Sequence, residues 1–370
     1  MKESNSIHIV ADSKIPFLRG VFESVANIEY LDPSEMDKER VKNVEALIVR
    51  TRTRCNAELL EGSKVKKIAT ATIGYDHIDR AYCQSEGISW SNAPGCNATS
   101  VAQYVLSSLI LIARNRECEL SSLKIGLIGV GYVGKAVEAL LSKMGLEVRR
   151  CDPPRQRVEP EETFYTKEEL AEWADVVSIH TPLTRDGLDP TFAMLDTNFF
   201  GRLKSKVAII NSSRGEVIDE LAMLEAEGKG LVSEMIIDCW NNEPHINNEL
   251  LDKAFIATPH IAGYSADGKA NATRMASEVI ADYFDLRVNT ATIVPPEIEG
   301  SNIDMKGKTL EDAILLTYDP REDMARLKAD VVSFEKQRGD YPLRREYVAY
   351  SLIDIKDEDK TLAESLGFII

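Results

Sequence analysis

Short apolar runs alternate with amphipathic stretches along the chain as far as about Leu286. The short runs predict β-strands over residues 6–12, 46–50, 67–72, 123–129, 147–152, 176–180, 207–211, 234–239 and 255–258. The amphipathic stretches predict helices over residues 17–26, 101–114, 131–144 and 218–228. Because strands that alternate with helices pair in parallel through crossovers, this order predicts an α/β fold of doubly wound parallel sheets covered by helices on both faces.

The pattern changes beyond Leu286. Residues 289–307 are rich in Pro, Gly and polar residues, which is typical of a linker. Apolar periodicity then returns over residues 312–317, 331–336 and 346–354 and predicts a small separate α+β unit. The length of 370 residues also favours two or three domains over one.

Composition narrows the classes of function. The formal net charge of −16 repels phosphate backbones, so we expect no nucleic-acid partner. No apolar run approaches the roughly 18 residues of a membrane span, and the start of the chain lacks the regions of a secretion signal. The six cysteines are scattered without a CxxC pair, which favours free thiols over a metal site. We therefore expect a cytoplasmic protein with no membrane partner.

A glycine motif follows the predicted strand 123–129. Gly129, Gly131 and Gly134 form G-x-G-x-x-G, with Tyr132 and Val133 between them, at the start of the predicted helix 131–144. The first glycine allows a tight turn, the second lets a pyrophosphate approach the backbone, and the third lets helix and strand pack closely. The free N–H groups at the helix N-terminus attract the phosphates. These five residues are thus predicted to bind a dinucleotide.

Asp152 ends the next predicted strand, close to the spacing of about 20 residues that dinucleotide sites show. A carboxylate there accepts hydrogen bonds from the ribose hydroxyls and repels a 2′-phosphate, so it favours NAD over NADP. Arg155 lies nearby and is a candidate to bind a 2′-phosphate, which leaves NADP open as the alternative.

Three residues follow predicted strands and suit hydride removal from a 2-hydroxy acid, which requires a base for the hydroxyl proton and a cation for the carboxylate. Arg214 follows strand 207–211, Glu243 follows strand 234–239, and His260 follows strand 255–258. Because ligands bind beyond the carboxyl ends of parallel strands, we expect all three to share one cleft. Arg214 would hold the carboxylate, neutral His260 would accept the proton, and Glu243 would orient the imidazole and stabilise its charged form.

The other polar candidates near strand ends have weaker support. We expect His8 to be packed inside the first strand, His77 to lie in a turn before a helix, and His180 to line the cofactor cleft. His245 lies in a polar loop. Asp238 is predicted to reach the nicotinamide amide, with a buried structural carboxylate as the alternative.

Together with residues 92–98 (NAPGCNA) and 180–183 (HTPL), these motifs resemble the D-isomer-specific 2-hydroxyacid dehydrogenase family over roughly residues 47–285. The resemblance implies an NAD-dependent oxidoreductase built from two Rossmann-like domains, one inserted into the other. Residues 1–100 and 264–290 would form a flavodoxin-like substrate-binding domain, and residues 101–263 would form the NAD-binding domain.

Three stretches, residues 69–79, 257–269 and the C-terminal segments 316–321 and 341–347, resemble one branch of that family. Members of this branch act on a phosphorylated four-carbon 2-hydroxy acid in vitamin B6 biosynthesis, and they carry a C-terminal extension through which they dimerise. Residues 291–370 are therefore expected to form a dimerisation domain of a homodimer.

The resemblance also implies contacts residue by residue. Substrate contacts are implied for Thr51, Thr72 and Tyr264. NAD contacts beyond the glycine motif are implied for Asp152, Thr181, Ser212, Ser213, Arg214, Asp238 and Gly263. Two positions depart mildly from the family pattern: Thr51 stands where Ser is typical, which retains the hydroxyl, and Ser212–Ser213 changes the turn slightly.

A phosphorylated substrate needs a basic site in this acidic chain. Arg50, Arg52 and Arg54 share a short segment, and Arg50 and Arg52 would share a face if the strand continued. Arg344 and Arg345 would instead reach a partner's cleft from the extension. The alternative for all five is a solvated surface position.

Other functions fit part of this pattern. A 3-phosphoglycerate dehydrogenase, or a glyoxylate or hydroxypyruvate reductase, would use the same three residues. The C-terminal extension disfavours the simple reductases. A non-enzymatic NAD-sensing protein of the same fold would need no substrate residues, so the threonines and the arginine cluster disfavour it.

Overall fold

The computed structural model describes residues 6–204 and 206–370. The β-strands within these residues are β1 (His8–Asp12), β2 (Asn27–Leu31), β3 (Ala46–Val49), β4 (Lys67–Thr70), β5 (Ser89–Ser91), β6 (Lys124–Ile128), β7 (Glu147–Cys151), β8 (Val176–Ile179), β9 (Val207–Asn211), β10 (Val232–Ile237), β11 (Ile256–Ala257), β12 (Asn302–Asp304) and β13 (Ser351–Ile353).

The helices alternate with these strands. The α-helices are α1 (Lys38–Val41), α2 (Ala57–Leu60), α3 (Arg80–Ser85), α4 (Ala98–Asn115), α5 (Tyr132–Lys143), α6 (Pro153–Val158), α7 (Lys167–Trp173), α8 (Thr197–Gly201), α9 (Glu220–Gly228), α10 (Asn248–Lys253), α11 (Ala266–Phe284), α12 (Leu310–Thr317), α13 (Pro320–Ala329), α14 (Phe334–Gly339) and α15 (Asp357–Leu366). Short 3-10 helices occur at Pro33–Glu35, Leu120–Ser122, Gly215–Val217, Thr290–Thr292, Val331–Ser333 and Tyr347–Ala349.

The chain divides into two compact units. The first comprises the residues up to Asn97 together with Ala266–Glu297, and the second comprises Ala98–Ser265 together with Ile298–Ile370. Residues 98–265 of the second unit thus lie, along the chain, between the two parts of the first unit, and residues 298–370 follow it.

The first unit is built on a parallel sheet in the order β2-β1-β3-β4-β5. Its central strands β3 and β4 are fully buried, as the continuous apolar run of β3 predicts for a sheet covered on both faces. Helix α11 packs on one face, where its alanines join the core with Ile9 and Ile48. A second apolar cluster, which includes Leu47 and Ile68, covers the other face.

The predicted helix over residues 17–26 is wrong, because the chain forms a series of turns there. Phe17 and Gly20 adopt left-handed backbone angles, with φ of 63° and 91°, which no α-helix accommodates. The apolar residues of the segment, such as Leu18 and Phe22, are nevertheless buried in the sheet's core. The spacing of these apolar residues therefore indicates buried positions, but it does not indicate a helix here.

The second unit is built on a parallel sheet in the order β11-β10-β9-β8-β6-β7. The strands predicted for this region are confirmed, with ends that differ by a few residues. Helix α4 is buried over nearly its whole surface, as expected for a helix that is apolar on all sides. Two parallel sheets with flanking helices confirm the predicted fold class.

The C-terminal segment, Ile298–Ile370, forms its own parallel two-stranded sheet from β12 and β13. Its apolar residues nevertheless join the two cores of the second unit. Ile314 and Tyr347 lie in the cluster around α4, and Leu327 and Phe334 lie in the cluster around β10. The segment is therefore a small α+β structure that shares its core with the six-stranded sheet. The predicted linker over residues 289–307 contains both a 3-10 turn and β12.

Among the described residues, no helix combines the length and the apolar character needed to cross a membrane.

Candidate active site

The glycine motif forms the turn between β6 and α5. Gly129 has φ of 87°, and a Cβ there would lie 2.7 Å from the carbonyl oxygen of His180. A Cβ at Gly134 would lie 2.1 Å from the carbonyl oxygen of Gly129, so this glycine is needed where the helix meets the turn. Gly131, the N-cap of α5, has no atom within 4 Å of such a Cβ and leaves open space above the helix N-terminus. Each glycine thus has the environment that a dinucleotide turn requires.

Asp152 follows β7 and caps helix α6. Its Oδ1 accepts from the Arg155 backbone N–H at 3.0 Å, and its Oδ2 accepts from Val130 N–H at 2.8 Å. The Arg155 guanidinium donates to Glu159 and to the Val130 carbonyl oxygen at 2.9 Å. Since Arg155 is held by these two partners, the alternative role for it as a 2′-phosphate ligand loses support.

Polar atoms near the turn test whether the site suits a bound dinucleotide. Within the described residues, Thr181 Oγ1, Ser212 Oγ and His180 Nδ1 are buried and have no hydrogen-bond partner. Buried polar groups are normally satisfied, so three unpartnered polar atoms indicate a polar ligand. Two of them belong to His180 and Thr181, which lie against Gly129. Thr181 and Ser212 are two of the residues predicted to contact NAD. The residues present therefore fit the cofactor.

His180 is held by its own strand. Its Nε2 lies 2.9 Å from Ser178 Oγ, and burial lowers its pKa to about 3. The ring is therefore neutral at physiological pH and can line a cofactor site without adding charge. His8, by contrast, is exposed at the start of β1, so the prediction that it is packed is wrong.

Arg214 lies in the turn after β9. A Cβ at the next residue, Gly215, would lie 2.0 Å from the carbonyl carbon of Trp240, so the turn packs directly on the backbone that follows β10. The Arg214 guanidinium donates from Nη1 to the Ser213 carbonyl oxygen at 2.8 Å, and Ser213 itself is tied to Asn211 Oδ1. Backbone packing and these local bonds together place the half-buried guanidinium at the carboxyl edge of the sheet.

His260 and Glu243 form a direct pair. Nδ1 of His260 lies 3.0 Å from Oε1 and 2.9 Å from Oε2 of Glu243. Because an ionised carboxylate can only accept, Nδ1–H is the donor and Nε2 is left as the basic nitrogen of the neutral ring. His260 has φ of 56°, a strained left-handed conformation for a residue with a side chain. The structure thus confirms the contact that the sequence predicts.

The carboxylate of Glu243 is kept ionised by its neighbours. Burial raises its pKa, but His260, the Trp240 N–H and Arg338 outweigh burial and hold the pKa of Glu243 below its ordinary value. The Trp240 N–H donates to Oε1 at 3.0 Å. Cys239 Sγ lies within 4.8 Å of both side chains, yet burial raises the pKa of this thiol well above its ordinary value. A neutral thiol beside a paired imidazole and carboxylate suits proton transfer better than metal binding.

Asp238 is almost fully buried beneath His260. Its carboxylate accepts from Thr258 Oγ1 at 2.6 Å, from Ile261 N–H at 2.7 Å and from Ala262 N–H at 3.0 Å. Burial raises the pKa of Asp238 despite these bonds and the charge of His260. Asp238 therefore shapes the loop that carries His260, which is the structural alternative stated for it. Its contact with nicotinamide stays a prediction.

Thr51 and Thr72 belong to the first unit. They follow β3 and β4, which are neighbours paired with Val49 opposite Thr70, so both threonines lie at the same edge of the sheet. The Thr72 hydroxyl donates to Gly74 O at 2.8 Å and lies 2.7 Å from the Thr70 hydroxyl, which in turn lies 3.0 Å from His77 Nε2. A buried histidine thus orients one of the predicted substrate residues.

The arginines proposed for the phosphate have different surroundings in the structure. Strand β3 ends at Val49, so the strand does not continue through Arg50 and Arg52, although both line one cavity. Arg50 forms a bidentate ion pair with buried Asp12, with Nε 2.8 Å from Oδ2. Arg344 is buried and donates to the carbonyl oxygens of Ala262 and Ser100, so its charge supports the His260 loop of its own chain.

The sequence analysis did not identify Arg338, whose side chain lies beside the His260–Glu243 pair. Arg338, on α14 of the C-terminal segment, places Nη1 3.9 Å from Glu243 Oε2 and its guanidinium 5.9 Å from the centre of the Tyr264 ring. No motif marks this arginine. The one available signal is that the segment carrying it is an extension to the dehydrogenase core.

The fold and the site define a class of protein, an NAD-dependent 2-hydroxyacid dehydrogenase. A family model described as "D-isomer specific 2-hydroxyacid dehydrogenase, NAD binding domain" matches residues 110–262, and a model described as a domain of unknown function matches residues 295–367. The solved structure of NAD+-bound 3-phosphoglycerate dehydrogenase from Entamoeba histolytica is similar, with a TM-score of 0.65, 28% identity, and coverage of 76% of this chain and 96% of that one. D-lactate dehydrogenase from Aquifex aeolicus shares the fold, with a TM-score of 0.61, 23% identity, and coverage of 75% of this chain and 95% of that one.

Curated relatives match nearly the whole chain. Erythronate-4-phosphate dehydrogenase of Bacteroides thetaiotaomicron is 49% identical, over 94% of this chain and 99% of the relative. That of Porphyromonas gingivalis is 40% identical, over 98% of this chain and 99% of the relative. The chain belongs to the erythronate-4-phosphate dehydrogenase family. The predicted family, enzyme class and NAD cofactor are confirmed.

Proposed function

We propose that this enzyme oxidises 4-phospho-D-erythronate at C2 to 2-oxo-3-hydroxy-4-phosphobutanoate in vitamin B6 biosynthesis. The names of its relatives support the substrate. The hydrogen-bonded pair of His260 and Glu243, in the same unit as a turn suited to a dinucleotide, carries the chemistry.

The proposed steps follow from this chain's side chains. Arg214 binds the substrate carboxylate and holds C2 in place. His260 Nε2 accepts the proton of the C2 hydroxyl as the C2–H bond breaks and the carbonyl forms. Glu243 accepts the hydrogen bond from Nδ1 throughout and stabilises the imidazolium. NAD, when bound, supplies the acceptor for the hydride that leaves C2. Its binding is assigned to the turn Gly129–Gly134, Asp152, Thr181, the segment Ser212–Arg214, Asp238 and Gly263.

Further substrate contacts are proposed residue by residue, for Thr51 and Thr72 of the first unit and for Tyr264 of the second. A cavity of about 310 Å³ in the first unit is lined by two arginines and a lysine, together with Asp32, Pro33 and Ser34; the cations are Lys14, Arg50 and Arg52. Lys14, Arg50 and Arg52 are the candidates for the phosphate, and Arg50 also forms an ion pair with Asp12.

The test is a substrate panel. Purified enzyme is mixed with NAD and, in separate reactions, 4-phosphoerythronate, erythronate, 3-phosphoglycerate, D-lactate or glycerate, and the absorbance of reduced nicotinamide is followed. We expect a signal from 4-phosphoerythronate, including a single-turnover amount if product leaves slowly. A signal from 3-phosphoglycerate alone would discard the vitamin B6 role but keep the family chemistry. No signal with NAD binding intact would favour an NAD-sensing protein.

We further propose that the enzyme is a cytoplasmic homodimer that associates through residues 291–370. Its six free cysteines support a reducing compartment. Large apolar side chains are exposed on the C-terminal segment, which supports an interface there; they include Leu316, Val332, Leu343, Val348 and Ile369. Deletion of the chain after Gly307 is a poor test of this role, because it would also remove Ile314 and Tyr347 from the core around α4.

A further inference from the structure

Arg338 is a partly buried cation beside the proposed base. It lies on α14, and its side chain is 19% exposed. Nη1 is 2.9 Å from Glu335 Oε1 and 3.9 Å from Glu243 Oε2, and the guanidinium also bonds to the Tyr264 side chain. Nε is buried and has no partner among the described residues.

The distances from Arg338 Nη1 indicate a hydrogen bond to Glu335 and a longer electrostatic interaction with Glu243. The bond to Glu335 fixes the guanidinium within its own helix, whereas 3.9 Å is too long for a hydrogen bond to Glu243. The effect of Arg338 on Glu243 is therefore the field of a positive charge in a poorly solvated place, where such fields are strong. Burial lowers the pKa of Arg338, but Tyr264, Glu243 and Glu335 outweigh it and keep the guanidinium charged.

Other charged or titratable groups act on the His260–Glu243 pair, directly or through a neighbour. Asp238 and Cys239 after β10 and Arg338 on α14 act on the pair directly. Arg214 after β9 acts on Cys239, and Tyr264 and Glu335 act on Arg338.

We propose that Arg338 is a positioning residue of the dehydrogenase reaction, which keeps His260 in its neutral, basic form by offsetting the charge of Glu243. The inference rests on the proposed roles of His260 and Glu243. A carboxylate 2.9 Å from Nδ1 stabilises the protonated ring, and a cation beside that carboxylate weakens this stabilisation. The C-terminal segment thus tunes the pH range in which the base works, in addition to any role in dimerisation.

The sign of the effect follows directly. Without the Arg338 charge, the protonated ring is more stable, so the acid limb of the pH profile of kcat/KM for oxidation moves to higher pH. We expect Arg338→Gln to move that limb to higher pH, because the charge 3.9 Å from Glu243 is lost. Without the Glu335 charge, Arg338 acts on Glu243 more strongly, so Glu335→Gln moves the limb to lower pH.

The experiment measures pH profiles of kcat/KM for 4-phosphoerythronate oxidation by the full-length enzyme. Arg338→Gln and Glu335→Gln are compared with Arg338→Lys, which keeps the charge, and with Arg321→Gln, which removes an arginine exposed on α13 and paired with Asp319. We expect Arg338→Lys to restore most of the wild-type limb and Arg321→Gln to leave it unchanged. Glu335 is partly exposed, so its variant remains informative if Arg338→Gln folds poorly.

Opposite shifts in Arg338→Gln and Glu335→Gln support the proposal, because loss of packing alone would not reverse sign. A wild-type acid limb in both variants overturns it, even if the rates fall. A higher KM for the phosphorylated substrate with an unmoved limb also overturns it and would make Arg338 a substrate ligand. His260→Asn is measured in parallel: wild-type activity in that variant would refute the proposed base itself, whereas its inactivity leaves Arg338 as the point under test.

Discussion

At the scale of single residues, the site depends on groups that hold other groups in place. The Asp238 carboxylate accepts from the backbone N–H groups of Ile261 and Ala262, directly after the bend at His260, and Glu243 fixes the tautomer of the ring. The strained φ of His260 is maintained by these bonds. The proposed proton transfer by His260 would therefore depend on the residues that hold its ring in place.

The first prediction concerns the His260–Glu243 pair. His260→Asn removes the base and should lower kcat for oxidation by roughly 10²- to 10⁴-fold. Glu243→Gln keeps an acceptor for the Trp240 N–H but loses the charge that stabilises the imidazolium, so it should also lower kcat strongly. Stopped-flow absorbance with saturating NAD measures both rates. His245→Gln, an exposed position, is the control, and equal rates in all three variants would refute the roles.

The second prediction concerns Asp152. Asp152→Ala removes a carboxylate predicted to bind the ribose hydroxyls and to repel a 2′-phosphate, so it should weaken NAD by roughly ten-fold and improve NADP relative to NAD. It also removes the cap of α6, which costs about 1 kcal/mol. Asp152→Asn keeps the cap without the charge. If both variants keep the wild-type NAD to NADP ratio of Kd values in titration calorimetry, Asp152 does not set the preference.

Sequence alone identified residues whose position follows from the order of strands. Arg214, Glu243 and His260 each come after a strand, and parallel neighbours bring such residues to one edge. Arg338 could not be found this way, because its contact with Glu243 depends on how a distant segment packs. The burial of Arg344 and its hydrogen bonds to the carbonyl oxygens of Ala262 and Ser100 could not be predicted from the sequence for the same reason.

At the scale of elements, turns with no room for a side chain fix the site as much as the strands do. Gly215 packs the Arg214 turn onto the backbone after β10, and Gly134 packs α5 onto the turn after β6. The periodicity of apolar residues predicted the strands and helices beside these turns, because buried positions there recur with the period of the strand or helix. It failed over residues 17–26, where buried side chains share helical spacing but left-handed residues prevent a helix.

The third prediction concerns Gly215. In Gly215→Ala, the new Cβ would meet backbone atoms of Trp240 and Asn241 within 2.0–2.3 Å, and backbone cannot move aside cheaply. We expect a loss of about 1–3 kcal/mol in stability, and a fall in kcat/KM of at least roughly ten-fold as Arg214 shifts. Thermal melting and initial rates measure these effects. Gly201→Ala is the matched control, because it has open space around it; equal losses in the two variants would contradict the packing argument.

At the scale of the whole molecule, two buried histidines make stability depend on pH. Burial lowers the pKa of His77 to about 4 and that of His180 to about 3. Between these values and the ordinary value of about 6.5, the unfolded chain takes up protons that the folded chain cannot. The contribution of these two histidines to the free energy of unfolding is therefore fully present above about pH 6.5 and is lost as the pH falls below that value.

The fourth prediction follows from this dependence. Each histidine should lower the free energy of unfolding by about 2 kcal/mol between pH 7 and pH 5. His77→Gln keeps a donor for Thr70 but cannot be protonated, so its urea midpoint should fall less over this range than that of the wild type. His245→Gln, at an exposed site, should behave like the wild type. The same slope in wild type and His77→Gln would show that His77 does not contribute.

The fifth prediction concerns the homodimer. Val348 and Ile369 are exposed and lie on segments joined around β13, where Leu352 N–H donates to Ile369 O and a Cβ at Gly367 would contact Val348. Val348→Glu with Ile369→Glu should convert a dimer to a monomer without lowering the melting temperature of each unit. Light scattering after size exclusion measures the mass. Val158→Glu, exposed on α6, is the control, and an intact dimer in the double variant would place the interface elsewhere.

One feature of the C-terminal segment bears on how the family's parts can be exchanged. The Ser100 and Ser265 hydroxyls both donate to buried Glu346, and buried Arg344 holds the carbonyl oxygens of Ser100 and Ala262. A chimera that grafts residues 298–370 onto a relative without both serines would remove two hydrogen-bond donors from a buried carboxylate, which lowers stability. The C-terminal segment can therefore be exchanged between relatives only together with Ser100 and Ser265, which lie outside it.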